Sequence, residues 1–150
     1  MNRNEKIEKL ITVARAQIGK PYQYGAYLNS EKNPAKGFDC SSFTQYVFGK
    51  VGIKIRRASV DQAAETKGEK IIDLGKAESG DLIFFLGNRG HYYYDESKKD
   101  WILVGHVGIY TGDGNIIHAA DNLIVKGVIE HSLSLLPDPP YKIVMIKRLL

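Results

Sequence analysis

Cysteine is nearly absent from this chain. Cys40 stands alone in 150 residues, so no internal disulfide braces the fold. Neither Cys-x-x-Cys nor His-Glu-x-x-His spacing occurs, and neither a metal nor an organic cofactor is expected. No run approaches the ~18 apolar residues of a membrane span. Charge of one sign is not in large excess: 21 Lys and Arg against 17 Asp and Glu leave a net +4. The basic residues are scattered, with Lys54-Ile55-Arg56-Arg57 the densest run. That pattern argues against nucleic acid as a partner and allows a mild attraction to anionic surfaces. The opening Met1-Asn2-Arg3-Asn4-Glu5-Lys6 lacks the apolar core of a secretory signal. Cytoplasmic residence, release by another route and export with the signal removed all remain open, as does the oligomeric state. Internal repeats and low-complexity tracts are also missing. What remains is an ordinary globular composition, 43% apolar and 25% charged, that fits one domain over residues 1–150.

The first third is helical in pattern. Ile7, Leu10, Ile11, Ala14 and Ile18 share one face of a helix over 4–18, with Asn4 as its cap and Gly19 and Pro21 as its stop. Residues 20–38 read as loop, with Tyr22, Tyr24, Gly25, Tyr27, Pro34 and Gly37. A second helix covers 40–50, with Phe43 and Val47 inward. Ser59-Val60-Asp61-Gln62 has capping-box form and opens a third, to about residue 66. The period then changes to that of strands, at 81–86, 102–110, 115–120, 123–130 and 142–148. Residues 87–101 interrupt the series, either as an extended hairpin with exposed tyrosines or as a substrate-facing flap. Helices first and antiparallel strands later make an α+β arrangement, N-terminal helices packed on a central antiparallel sheet.

Cys40 falls where the loop Gly37-Phe38-Asp39 turns into the second helix. A thiol in a first helical turn feels free N–H groups and the positive dipole end, which favour the nucleophilic thiolate. The plain alternative is a buried, inert small hydrophobe. His106 and His118 lie on neighbouring strands of a hairpin. A three-residue Gly112-Asp113-Gly114 loop pairs Thr111 with Asn115 and leaves both imidazoles on one face; a two-residue Asp113-Gly114 turn separates them. With the favoured longer loop, His106 is placed to act as base for Cys40 and His118 to orient it. Ordinary core histidines, or a zinc held by one thiolate and two imidazoles, are the competing readings.

The blocks Pro21-Tyr22-Gln23-Tyr24-Gly25, Gly37-Phe38-Asp39-Cys40-Ser41-Ser42-Phe43, Gly80-Asp81-Leu82-Ile83-Phe84-Phe85, Gly105-His106-Val107-Gly108-Ile109-Tyr110 and Ile117-His118-Ala119-Ala120 follow one another in order. Together they resemble the NlpC/p-sixty group of papain-like cysteine peptidases. The resemblance implies a circularly rearranged papain-like α+β domain over the whole chain. It also implies hydrolysis of murein stem peptides, commonly at the bond from D-glutamate's γ-carboxyl to a diamino acid. By matching positions, Cys40 is the nucleophile, His106 the base, His118 the third member and Tyr22 an oxyanion donor. Asp39, Ser41, Ser42 and Tyr24 are candidates for the substrate side, Asp39 with a structural share at the helix start. A papain-like amidase, an acyltransferase and a silent wall-peptide-binding module are the rivals. The chain departs from the family pattern at Gly25-Ala26 and at Ser41-Ser42, where a second glycine is usual, and a Cβ there is expected to narrow the cleft. Residues 26–36 and 87–101 are longer than in the simplest members.

Overall fold

The computed structural model describes residues 1–26, 36–121 and 126–150. Tyr27, Pro34, most of the long 26–36 segment and the first residues of the strand expected at 123–130 lie outside them.

Three helices come first: α1 (Arg3–Ala16), α2 (Cys40–Gly49) and α3 (Ser59–Ala64). Helical spacing buries Leu10, Ile11 and Ala14 of α1 on one face. Its cap is Asn2, not the expected Asn4. Asn2 Oδ1 accepts from the Glu5 N–H at 2.9 Å, and the Glu5 carboxylate accepts from the Asn2 N–H at 3.3 Å. This reciprocal pair needs a carboxylate three residues on, which Asn2 has in Glu5. At α3 the expected Ser59 cap also moves. Ala58 takes the cap position without a side-chain bond, and Gln62 turns into the core instead of closing a box. Its amide donates to the carbonyls of Ser41 at 3.0 Å and Arg56 at 2.7 Å, and it accepts from the Thr44 hydroxyl at 2.8 Å. Hydrogen bonds to α2 override the local pattern.

Among the described residues eight strands follow: β1 (Glu69–Lys70), β2 (Leu82–Phe85), β3 (His91–Asp95), β4 (Asp100–Val104), β5 (His106–Tyr110), β6 (Asn115–Asp121), β7 (Lys126–Ser132) and β8 (Ile143–Arg148). Six of them form one antiparallel sheet in the order β1-β8-β2-β5-β6-β7, and β3 with β4 forms a separate hairpin. Alternation divides the sheet. Leu82, Phe84, Val107, Ile109, Ile117, Ala119 and Val128 pack against Leu10, Phe43 and Val47 of the helices. Ile83, Phe85, Tyr110, Ile116 and Ile146 make a second apolar cluster on the other face. Each such large side chain contributes about 1.5–3 kcal/mol when fully buried.

The strand expected at 102–110 is two strands, broken at Gly105. Its N–H donates to the Phe85 carbonyl at 2.9 Å, and a Cβ on Gly105 would run into the Leu86 carbonyl oxygen. Only glycine admits this approach of two backbones. The chain leaves the β3–β4 hairpin there and enters the main sheet. Segment 87–101 is thus an extended hairpin, with Tyr92, Tyr94 and Trp101 exposed.

Asp95 closes the far end of that hairpin. It accepts from Lys70 Nζ at 2.9 Å, from the Ser97 N–H at 2.9 Å and from the Ser97 hydroxyl at 2.6 Å. Burial alone raises a carboxyl pKa, but these bonds outweigh it and hold Asp95 well below the carboxylate range. A carboxyl depressed in the folded state stabilises above its unfolded value, and that contribution is lost as pH falls through the folded one. Asp95→Ala should therefore speed amide exchange over residues 91–104 by about 10-fold at pH 7 while β5 and β6 stay protected. In the parent protein the same amides should lose protection selectively on strong acidification. Equal loss throughout the sheet would contradict this local role.

Candidate active site

The start of α2 is held from two directions. Asp39 caps it: Oδ1 accepts from the Ser42 N–H at 2.8 Å, while the Ser42 hydroxyl oxygen accepts from the Asp39 N–H at 3.0 Å. Arg57 then grips the same carboxylate in a fork, Nη1 to Oδ1 at 3.1 Å and Nη2 to Oδ2 at 2.7 Å. Its nitrogens also reach the Ser41 hydroxyl at 2.9 Å and the Ala26 carbonyl at 2.6 Å. Asp39, Ser41 and Ser42 therefore frame Cys40. Ser42 is fully buried and offers no surface to a substrate, so its extra atoms complete the cap instead of narrowing a cleft. Gly37, at φ +109°, lets the chain pass against Pro21, where a Cβ would meet the Pro21 carbonyl. The Phe38 N–H donates to that carbonyl at 3.0 Å, and a backbone bridge sets Tyr22 beside Phe38.

Cys40 is the first residue of α2 and is buried. The backbone N–H groups of Val107 and Ser41 act on its thiol in favour of ionisation. The β5–β6 rungs recorded are Ile109↔Ile117 and Tyr110↔Ile116, so Val107 lies beyond them. Burial, then the charge of Asp39, pushes the Cys40 thiol up to about 12 against these donors and Arg57. The thiolate expected from the helix terminus is reversed: the half-charge of a helix end is weaker than full desolvation, and Asp39 offsets it. The Tyr22 hydroxyl is also held well above its ordinary value, by burial first and then by the neighbouring Cys40 and Asp39.

The β5–β6 register is that of the three-residue loop, with the Thr111 N–H donating to the Asn115 carbonyl at 3.0 Å. His106 and His118 accordingly share a face, and His106 Nε2 lies 2.7 Å from His118 Nδ1. A third imidazole continues the line. His118 Nε2 is 2.8 Å from His131 Nε2, and His131 Nδ1 is 2.8 Å from the Ser132 carbonyl. Burial pushes His106 down to about 4 and, with His106 and His131 adding to it, lowers His118 well below its ordinary value. Both are neutral at pH 7. The rings of Phe85 and Tyr141 pack on His106 at 5.7 and 5.4 Å between centroids and exclude water. Tyr24 is 65% exposed at the rim, with the Arg89 guanidinium 4.4 Å from its ring centroid.

Three contributors escaped the sequence reading. Arg57 was visible only as part of a basic run. Tyr141 follows a proline-rich connector that gives no hint of where it lands. His131 carried a usable signal: the strand expected at 123–130 stops one residue short of it, and extending the alternation places it on the His118 face. Among the described residues, no group of three or more His, Cys, Asp or Glu is arranged to hold a metal ion.

A thiol at a helix start and a strand-borne line of imidazoles on an antiparallel sheet belong to an α+β fold with known counterparts. The family model described as NlpC/P60 family matches residues 19–134. A probable endopeptidase p60 of Listeria innocua is 39% identical over 113 residues, 75% of this chain and 20% of that protein. The bifunctional muramidase/DL-endopeptidase CwlT of Bacillus subtilis is 36% identical over 115 residues, 77% of this chain and 30% of that protein. The crystal structure of the NlpC/p60 domain of peptidoglycan hydrolase SagA superposes with a TM-score of 0.65 at 27% identity, covering 95% of this chain and 97% of that one. The chain belongs to the NlpC/P60 family. It spans less than a third of the length of either curated relative.

A thiol held neutral by burial has a distinct pH signature. Alkylation of Cys40 by iodoacetamide should be slow at pH 7 and keep rising through pH 9, because the thiolate fraction grows with pH. A rate already on a plateau at pH 7 would indicate a preformed thiolate–imidazolium pair.

Proposed function

We propose that this chain is a cysteine endopeptidase of murein stem peptides, acting through Cys40, His106 and His118 at the γ-D-glutamyl–diamino acid bond. What carries the reading is the imidazole pair His106–His118, 2.7 Å apart, with His106 next in the chain to Val107, whose N–H favours the Cys40 thiolate. The Bacillus subtilis relative is named a DL-endopeptidase, and the bond from D-glutamate to an L-centre of a diamino acid is of that kind.

Because both partners rest neutral, proton transfer accompanies attack. His106 takes the thiol proton as sulfur bonds to the scissile carbon, and the carbonyl π pair moves to oxygen. The Cys40 N–H at the start of α2 and the Tyr22 hydroxyl supply donors to that oxyanion, an effect of about 3 kcal/mol per donor. Collapse expels the amine, which leaves with the proton from His106, and a thioester remains. Water deprotonated by His106 then attacks the thioester and releases the acid and the thiol. His118 keeps the His106 ring oriented and accepts increased positive charge. The step uses no cofactor. Residues 1–150 act here as one catalytic unit.

Incubation with soluble murein tri- and tetrapeptides, followed by mass analysis, should show release of L-Ala-γ-D-Glu. Cys40→Ala should abolish it and His106→Ala should lower kcat by about a thousandfold. His118→Asn should be milder, since an amide still orients the base. Cleavage at the sugar–peptide link would assign an amidase, transfer to an added amine an acyltransferase, and undiminished turnover by Cys40→Ala would remove the mechanism.

A further inference from the structure

We propose that His131 is a positioning residue that, with the Ser132 carbonyl, sets the tautomers of His118 and His106 and leaves the His106 Nδ1 lone pair for the thiol proton. The inference rests on the reading of Cys40 as nucleophile and His106 as base.

The argument starts at the end of the line, where direction is not free. A carbonyl oxygen only accepts, so at 2.8 Å from Ser132 O the hydrogen belongs to His131 Nδ1. A neutral imidazole carries one N–H, which leaves His131 Nε2 as an acceptor. The nitrogen 2.8 Å away, His118 Nε2, must then donate. His118 Nδ1 becomes the acceptor, and His106 Nε2, 2.7 Å from it, must donate in turn. His106, also neutral, is left with Nδ1 bare. Among neutral rings, this is the one assignment that satisfies all three bonds; the reverse places two lone pairs against each other at Ser132.

Strand geometry explains why the three rings meet. His131 opposes Ile116 across β6–β7 and so lies diagonal to His118, which lies diagonal to His106 across β5–β6. His118 is wholly buried, so a wrong tautomer there has no water to repair it. With only the His106–His118 pair, both tautomer directions are equally good, and one of them puts a hydrogen on His106 Nδ1 and ends its use as a base. His131 removes that degeneracy. It stands one ring beyond the residue that touches the base, and acts only through it.

Two substitutions separate direction from mere packing. His131→Gln retains an acceptor for His118 Nε2. His131→Lys supplies only a donor, which forces His118 to accept at Nε2 and donate at Nδ1, and so moves the His106 hydrogen to Nδ1. The parent protein labelled with 15N-histidine should show His106 and His118 in the Nε2–H form and His131 in the Nδ1–H form. His131→Lys should lower kcat, with KM and Tm nearly unchanged, and slow Cys40 alkylation at pH 7–8 on the order of 100-fold, while shifting the His106 and His118 signals to Nδ1–H. His131→Gln should stay close to the parent in all of these. An Nε2–H form of His131 in the parent spectrum would overturn the proposal. So would a His131→Gln variant as slow as His131→Ala, or a folded His131→Lys variant with parental rates. The spectrum and the alkylation rate need no substrate. Their result therefore stands apart from the peptide-cleavage test: correct tautomers without cleavage would fault the substrate assignment and leave the role of His131 intact.

Discussion

The Asp39 carboxylate is the joint on which this structure turns. One group caps α2 through the Ser42 N–H and receives both terminal nitrogens of Arg57. Through Arg57 it also ties the Ala26 carbonyl, and with it the approach of the Tyr22–Tyr24 segment, to the same point. Helix start, loop and Cys40 are thereby located together. A bidentate pair of this kind fixes orientation as well as distance, so the sulfur of the next residue, Cys40, has a defined direction. The cap also has an electrostatic consequence. The carboxylate that satisfies the Ser42 N–H of α2 opposes ionisation of the thiol, in the same direction as burial.

That opposition shapes the chemistry. A thiol pushed up and an imidazole pushed down are each the neutral form of their pair, and desolvation is the first cause of both shifts. A buried charge pair would need compensation from strong partners. Here backbone N–H groups of Val107 and Ser41 favour the charged sulfur, while His106 has a neutral imidazole at its rear. A polarisable row of rings thus lies behind His106, and the Val107 and Ser41 N–H groups act on the thiol in favour of ionisation. The aromatic rings of Phe85 and Tyr141 keep the dielectric low around that row, which strengthens each hydrogen bond along it.

The sheet carries two separate tasks on its two faces. Val107, Ile109, Ile117 and Ala119 bind the helices, and the alternate positions His106 and His118 carry the site. A one-residue slip between β5 and β6 would exchange these roles and lose both core and site. The loop Gly112-Asp113-Gly114 guards against that slip, since Gly112 and Gly114 take positive φ values of 92° and 95°. The β3–β4 hairpin lies outside this sheet and joins it through Gly105, where the approach of Leu86 leaves no room for a side chain.

Local chemistry was legible in the order of residues. Period and turn glycines depend on neighbours within a few positions, so the helices, most strands, the β5–β6 register and the shared face of His106 and His118 could be read directly. Near misses were local competitions: Asn2 rather than Asn4 at α1, and Gln62 drawn from its expected capping role into bonds with α2. Long-range pairings were not legible. Arg57 meets Asp39 from another loop, Tyr141 reaches the imidazoles after a turn with no period, and the split of 102–110 follows from the backbone at Leu86. The ionisation of Cys40 belongs to this second group. Sequence placed the thiol at a helix terminus and so within a favourable dipole, but desolvation depends on every atom packed around the sulfur. The sequence by itself determined which groups were available and on which side of each element they lay; the tertiary structure decided their protonation and their partners, because burial and hydrogen bonding between distant segments exist only once the chain has closed on itself.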